Sequence, residues 1–164
     1  MSALAYLYSP IGMLELRGSD RGLHVVRFLD EAAGVAATAP VAVANCLREA
    51  HEQLRAYFGR ELRDFSLACA PETGTDFQRR VWAALPGVSY GRTASYLDLA
   101  RQLQNGKAVR AVGAANGQNP LALILPCHRI IGANGTLTGY AGGLPRKRWL
   151  LDFEQPVRQG GLFG

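Results

Sequence analysis

The hydrophobic pattern of the chain changes near residue 72, and this change limits the folds that are open to it. Three short runs at the start are typical of strands and are separated by turn residues: Ala3 to Tyr8, Met13 to Arg17 and Leu23 to Leu29. Farther along, apolar residues recur mainly at helical spacing. The pattern predicts a mixed α/β (α+β) protein in which a small antiparallel N-terminal sheet precedes a mainly helical domain.

Helical spacing predicts five helices, over Val41–Phe58, Asp76–Leu85, Ser95–Leu103, Lys107–Asn116 and Pro145–Glu154. The first covers the N-terminal sheet. The short apolar run Leu121–Leu125 is predicted to be a buried strand. Turn residues near position 72 predict domains at 1–72 and 73–164, and the Gly-rich tail 155–164 is expected to be flexible.

The third and fourth predicted helices are short and close together in sequence. Ser95 followed by Asp98 matches a capping box, and Asn105-Gly106 predicts a tight turn before the fourth helix. This arrangement suggests a helix-turn-helix whose second helix is thin, since Arg110 is followed mostly by small residues. That thin surface fits either close packing within the protein or close approach to DNA, with Arg110 projecting.

Composition limits the class of protein. The 164 residues carry 48% hydrophobic and 19% charged residues, which is normal for a globular protein. No apolar run approaches the roughly 20 residues that span a bilayer, and no signal-peptide pattern is present, so a protein of the cytosol without membrane association is expected. Cys46, Cys69 and Cys127 show no C-x-x-C spacing, which favours reduced thiols, with the first two as small buried residues.

Charge is distributed unevenly between the two predicted domains. Residues 1–72 contain seven Lys and Arg against nine Asp and Glu, a net charge of −2, whereas residues 73–164 contain eleven against four, a net charge of +7. A basic domain of this kind is suited to a polyanion such as nucleic acid. Many basic proteins bind no nucleic acid, so the charge alone does not decide the function.

Pro126-Cys127-His128-Arg129 places a thiol beside an imidazole just after the apolar run. A cysteine becomes an effective nucleophile when a nearby base or positive charge favours its thiolate. The same four residues also fit a core strand that happens to end in Cys-His. In an extended chain the two side chains would point to opposite faces, so a bridging water is the expected link between them.

An ordered set of motifs resembles the O6-alkylguanine-DNA alkyltransferases from about residue 74 to residue 154. It comprises Phe77-Gln78, Val81-Trp82, Tyr90-Gly91-Arg92-Thr93, Ser95-Tyr96, Ala108 to Gly113, Asn119-Pro120, Pro126 to Arg129, Tyr140 and Gly142-Gly143. The first 70 residues resemble that family only in general layout. The resemblance implies repair of O6-alkylguanine, and of O4-alkylthymine as a second lesion, by transfer of the alkyl group to the protein.

By this resemblance Cys127 is the acceptor, and the reaction consumes the protein because the thioether product is stable. His128 would take the thiol proton through a water, with Glu154 orienting the imidazole. Tyr96 would donate a proton towards the departing guanine. Asn119 would brace the turn before the cysteine segment.

The resemblance also implies a partner, double-stranded DNA with an alkylated guanine that is flipped out of the helix. Arg110 would fill the space it leaves, and the thin helix would enter the minor groove through Ala111, Gly113 and Ala114. Tyr140, Ala141 and Gly142 would line the base pocket. Candidates for phosphate contacts are Lys107, Arg129, Arg146, Lys147 and Arg148.

The family usually has Pro at the position of Ser89. It often has Ser at the position of Ala141. Without a hydroxyl at position 141, stabilisation of the leaving group is expected to depend on backbone N–H groups and Tyr96. Ala122 replaces a bulkier residue of some relatives, which suggests a roomier pocket. No cofactor and no metal are expected for the chemistry, and the protein is expected to act as a monomer.

Three other functions remain open from the sequence. A lesion sensor of the alkyltransferase-like class would lack the acceptor cysteine, which is present here. A DNA-binding regulator would be expected to carry an additional zinc-bearing domain. A thiol protease or hydrolase would draw its cysteine and histidine from separated segments.

Overall fold

A computed structural model describes residues 2–30 and 33–155. It contains two compact units, one formed by Met1–Asp76 together with Asn119–Leu125, the other by Phe77–Gln118 together with Pro126–Gly164. Segment 119–125 thus belongs to the first unit, whereas the division predicted from the sequence placed it in the second domain. The predicted flexible tail lies, from residue 156 onward, outside the described residues.

The first unit is a three-stranded antiparallel sheet with one helix. Strands β1 (Ala3–Ser9), β2 (Gly12–Ser19) and β3 (Gly22–Phe28) form the predicted antiparallel sheet, and they lie in the order β1-β2-β3. Their inward residues, with Leu14 and Leu16 fully buried, face the protein core. Helix α1 (Asn45–Phe58) packs on the sheet and starts four residues later than predicted, after a 3-10 turn at Pro40–Ala42.

The run Leu121–Leu125 is not a strand, which corrects the prediction. Leu121 makes an isolated parallel bridge with Val26, and the following residues turn back, with Leu123 in the left-handed region at φ 73°. The backbone N–H of Leu125 donates to the Leu121 carbonyl at 3.0 Å, which closes the turn. Apolar character correctly predicted burial of this run, but it could not distinguish a strand from a buried turn.

The second unit contains α2 (Asp76–Ala84), α3 (Tyr96–Gln102), α4 (Val109–Gly117) and α5 (Leu144–Glu154). Two-residue strands β4 (Ala94–Ser95) and β5 (Ile130–Ile131) pair in parallel. The capping box is confirmed, because the Ser95 hydroxyl accepts from the Asp98 N–H and the Asp98 carboxylate accepts from the Ser95 N–H, each at 2.9 Å. Helices α3 and α4 pack together as the predicted helix-turn-helix.

Within the described part of the chain, no helix is long and apolar enough to cross a membrane. Cys69 is exposed and Cys46 is half-buried, so the expectation that both would be small buried residues is wrong. Cys127, in contrast, is only 5% exposed.

Candidate active site

Cys127 lies in a tight 3-10 turn, Cys127–Arg129, that leads directly into β5. The Ile130 backbone N–H donates to the Cys127 carbonyl and closes this turn. The turn corrects the argument that Cys127 and His128 point to opposite faces, since that argument assumed an extended chain. The sequence places Pro126 at the start of the turn, where its missing N–H is no loss.

Glu154, the last residue of α5, joins the two residues that follow Cys127. Its Oε2 atom lies 2.8 Å from His128 Nε2 and 3.0 Å from Arg129 Nη2, and its Oε1 atom lies 2.8 Å from Arg129 Nε. His128, Arg129 and Glu154 are all at most 5% exposed. A buried carboxylate is tolerated when it is paired and fully hydrogen-bonded, as it is here.

The charge state of this group follows from the balance of burial and pairing. Burial by itself would raise the pKa of Glu154, but the hydrogen bonds from His128 and Arg129 outweigh it and lower the pKa to about 2. Burial lowers the pKa of His128, and the neighbouring Glu154 only partly opposes this. At neutral pH the pair is therefore a carboxylate and a neutral imidazole.

The tautomer of His128 follows from the same contacts. Because the Glu154 carboxylate can only accept, the imidazole must donate its N–H from Nε2, and Nδ1 carries the free lone pair. His128 Nδ1 is buried and has no hydrogen-bond partner among the described residues. His128 thus offers Nδ1 as a base, and the hydrogen bond from Nε2 to Glu154 fixes the orientation of its ring.

Arg129 was predicted to contact DNA phosphate, and the structure contradicts this. Besides its bonds to Glu154, its Nη1 atom donates to the Val88 carbonyl at 2.8 Å, and its guanidinium lies 5.6 Å from the Tyr90 ring centroid. Each of the three guanidinium nitrogens thus donates a hydrogen bond within the protein, and the group compensates the buried Glu154 charge.

Lys147 is not available to phosphate either, because it is fully buried. Its Nζ atom donates to the Thr138 and Gly139 carbonyls at 2.8 and 3.3 Å and lies 3.5 Å from the Tyr96 hydroxyl. Burial lowers the pKa of Lys147 to about 8, an effect that nearby Cys127 opposes. The sequence argument assigned Lys147 to phosphate and missed its burial, although Lys147, Leu150 and Glu154 share one helical face.

Leu150 is fully buried on the inner side of α5. Trp149 and Phe153 are half-buried and stack on each other, with ring centroids 4.8 Å apart. The buried side of α5 carries the charged residues Lys147 and Glu154 because it packs against the polar groups of the site and not only against apolar side chains.

Tyr96, the first residue of α3, presents its hydroxyl to the loop that contains Thr138. The hydroxyl donates to the Thr138 carbonyl at 3.1 Å and accepts from Thr138 Oγ1 at 3.2 Å. A Cβ atom at Gly113 would lie 3.6 Å from the Tyr96 ring, so Gly113 packs beside this ring. Tyr96 and Lys147 therefore share one polar cluster around Thr138.

Helix α4 presents Arg110, Ala111 and Ala114 to solvent, as predicted for a thin surface. Its buried side carries Val112, Ala115 and Asn116. The basic side chain and the two small ones therefore share the exposed side of this helix. That this surface contacts DNA remains a prediction.

Asn119 is 9% exposed and bonds to the turn that follows it. Its Oδ1 atom accepts from the Leu121 N–H at 3.0 Å, and its Nδ2 atom donates to the Leu125 carbonyl at 2.7 Å. The side chain thus ties together both ends of the turn that precedes Pro126, which is the bracing geometry expected of it.

Tyr140, Ala141 and Gly142 lie just before α5. The Tyr140 hydroxyl is buried without a hydrogen-bond partner among the described residues, and burial raises its pKa well above the ordinary value. Ala141 is exposed, and the Gly142 carbonyl accepts from Arg146 Nη1 at 3.2 Å. Gly143 starts α5 from φ 90°, a conformation that favours glycine.

Within residues 2–30 and 33–155, no group of three or more His, Cys, Asp or Glu side chains is arranged to hold a metal ion. The chemistry that these residues offer is that of an oriented base, a thiol and a phenol.

Comparison with known families covers most of the chain. The family described as 6-O-methylguanine DNA methyltransferase, DNA binding domain, matches residues 76–156, and its ribonuclease-like domain matches residues 4–71. A methylated-DNA–protein-cysteine methyltransferase of Methanosarcina acetivorans is 48% identical over 151 residues, covering 92% of this chain and 96% of the relative.

Two solved structures extend this similarity to the fold. The O6-methylguanine methyltransferase of Mycobacterium tuberculosis is 42% identical with a TM-score of 0.82, covering 99% of this chain and 98% of that one. The OGT protein of the same organism in complex with DNA is 44% identical with a TM-score of 0.80, covering 92% of each chain. The resemblance seen in residues 74–154 is thereby confirmed and extended to the N-terminal sheet, and this chain belongs to the methylated-DNA–protein-cysteine methyltransferase family.

Proposed function

We propose that this protein repairs DNA by moving the alkyl group of O6-alkylguanine onto the sulfur of Cys127. The observation that carries the proposal is the buried His128–Glu154 pair, 2.8 Å apart, whose histidine directly follows Cys127. The family named above and the DNA complex of a relative support the reaction and the partner.

Activation of the thiol follows from the charge state of this pair. Neutral His128 offers its Nδ1 lone pair as the base, and a water carries the Cys127 proton to it. The Glu154 carboxylate stabilises the imidazolium that forms. The resulting thiolate is the nucleophile that displacement at an alkyl carbon requires, because no carbonyl group is available to be polarised.

The transfer makes one bond and breaks one. The thiolate electron pair forms the new S–C bond, and the C–O6 bond breaks with its electrons moving to guanine. Tyr96 then donates its phenolic proton to the base. To do so, its hydroxyl must leave the Thr138 carbonyl, while the bonds that it accepts from Thr138 Oγ1 and Lys147 Nζ stabilise the phenolate.

The protein acts once. A thioether is not reduced by cellular thiols as a disulfide would be, so each molecule removes one alkyl group and remains alkylated. The reaction needs no second copy of the chain, and we expect a monomer.

The DNA contact that we propose is α4 in the minor groove of the duplex. The small residues Ala111 and Ala114 permit close approach of the helix, and Arg110 fills the space left by the extruded base. The flipped guanine would then lie against Tyr140 and the backbone of Ala141 and Gly142. O4-alkylthymine is a second candidate lesion for the same pocket.

Intact-protein mass spectrometry tests this proposal directly. After mixing with a duplex that contains O6-methylguanine, we expect the mass of one methyl group to be added to Cys127 and none to a Cys127→Ser variant. Tight lesion binding without an adduct would instead indicate a sensor of damage. An adduct on another cysteine would refute the assignment of the acceptor.

A further inference from the structure

Asn116 is a buried polar residue that the proposed mechanism does not use. It lies in the last turn of α4 and is 3% exposed. Its Nδ2 atom donates to the backbone carbonyl of Cys127 at 3.3 Å. That carbonyl also accepts from the Ile130 N–H, so the nucleophile turn is held both by its own backbone and by a side chain of α4.

Helix α4 is fixed on its buried side at the adjacent residue as well. The Trp82 indole Nε1 of α2 donates to the Ala115 carbonyl at 2.7 Å, in a buried contact. Consecutive residues of α4 thus make two different attachments. Ala115 receives a bond that holds the helix, and Asn116 gives a bond that holds the cysteine.

An amide at position 116 is not required for packing. Asn116 Oδ1 is buried without a hydrogen-bond partner among the described residues, which disfavours the folded state. Asn is also a weaker helix former than Leu or Met, either of which would satisfy an apolar site. The bond from Nδ2 to Cys127 is the contact that only a short amide side chain can supply here.

We propose that Asn116 is a positioning residue for alkyl transfer. Its amide ties the Cys127 carbonyl to the helix proposed to enter the minor groove, so that seating this helix on DNA sets the position of the sulfur. This inference rests on the proposed function. It assigns to α4 a role in the chemistry beyond its exposed face.

Asn116→Leu tests the proposal, because it replaces the amide by an apolar side chain of the same branched shape and leaves the exposed face of α4 intact. The rate of methyl-adduct formation on Cys127 should fall about ten- to a hundredfold at saturating duplex, since small displacements of a reacting atom have effects of this size. The duplex concentration that gives half the maximal rate should not change. Asn116→Asp keeps the size but removes the donor, and it should be slow as well.

Trp82→Phe is the matched control. It also removes a buried hydrogen bond to α4 but leaves the Cys127 turn untouched, so it should lower the melting temperature without slowing transfer at saturating duplex. Equal rates in wild type and Asn116→Leu would overturn the inference, as would equal slowing by Trp82→Phe. Wild-type protein that forms no adduct would instead refute the proposed function, which separates the two failures.

Discussion

At the scale of single residues, Glu154 connects His128 and Arg129, the two residues that follow Cys127. One carboxylate orients the His128 imidazole and neutralises the Arg129 guanidinium, all three groups being buried. Because the carboxylate serves both groups, the chemistry at Cys127 and the stability of the surrounding turn depend on the same side chain.

Glu154→Gln should therefore destabilise the protein strongly. The change leaves the buried Arg129 charge uncompensated, and breaking such a pair typically costs about 3–5 kcal/mol in the free energy of unfolding. Urea unfolding followed by circular dichroism would measure the loss. Asp98→Asn, at an exposed carboxylate of a capping box, should cost much less, and equal losses would contradict this account.

Acid should destabilise the protein through the same pair. Glu154 has a pKa of about 2 when folded and about 4.5 when unfolded, so its contribution is complete above pH 4.5 and is lost as pH falls towards 2. His128, whose pKa is lowered on folding, takes up a proton more readily in the unfolded chain below pH 6.5.

His128 therefore predicts a melting temperature that falls as pH decreases from 6.5, and Glu154 predicts a further fall below about pH 4.5. A series of thermal melts between pH 7 and pH 3 would measure it, with His128→Phe as the comparison. That variant should lose the part of the decline near pH 6. A decline of unchanged shape would show that other groups are responsible.

Residue identities singled out Cys127 and His128, and the family resemblance added Glu154, but neither predicted that two of the cations would be buried. Arg129 and Lys147 read as surface charges because such side chains are mostly exposed. Their burial depends on partners distant in sequence, such as Glu154, 25 residues from Arg129. The sequence held one indication that Lys147 is buried: it lies three residues before the apolar Leu150, on the same face of α5.

At the scale of elements, α4 has two sides of different character, and we propose a separate role for each. Its exposed side carries Arg110, Ala111 and Ala114, and its buried side carries Asn116 against the Cys127 turn. A helix of nine residues can serve both purposes because neighbouring positions face different directions.

Ala114→Leu should weaken binding to duplex DNA about tenfold, since the larger side chain keeps the helix from a narrow groove. The fold should be unaffected because the position is exposed. Fluorescence anisotropy with a labelled duplex would measure the affinity. Ala83→Leu, the same change at an exposed position of α2, should bind like wild type.

Some elements could be predicted from the sequence pattern and others could not. The strands of the N-terminal sheet and the capping box at Ser95 were predictable because local residues determine them. The turn at Leu121–Leu125 was not, because its course depends on the Asn119 side chain and on pairing with Val26. Asn119 and Val26 determine the course of this turn by where they lie in the folded protein, which the hydrophobic pattern does not reveal.

At the scale of the whole molecule, the excess of positive charge lies in residues 73–164. With Arg129 and Lys147 buried, the remaining candidates for phosphate contacts are Lys107, Arg146 and Arg148. Electrostatic attraction should therefore depend on fewer side chains than the sequence suggested.

Duplex affinity should decrease with salt, and Arg148→Ala should reduce the slope by about 0.9 log unit per log unit of salt if one phosphate contact is lost. Titrations at several salt concentrations would measure it. Arg21→Ala removes an exposed charge from the first unit and should leave the slope unchanged. Affinity that does not depend on salt would refute the electrostatic contribution.

The order of the two units along the chain has a consequence for biosynthesis. The first unit includes segment 119–125, so it is incomplete until the 77–118 part of the second unit has also been made. The carboxylate that orients His128 is made later still, at residue 154. A growing polypeptide thus carries Cys127 before its base can be oriented, and the proposed alkyl transfer becomes available only after the final residue of α5 has been made.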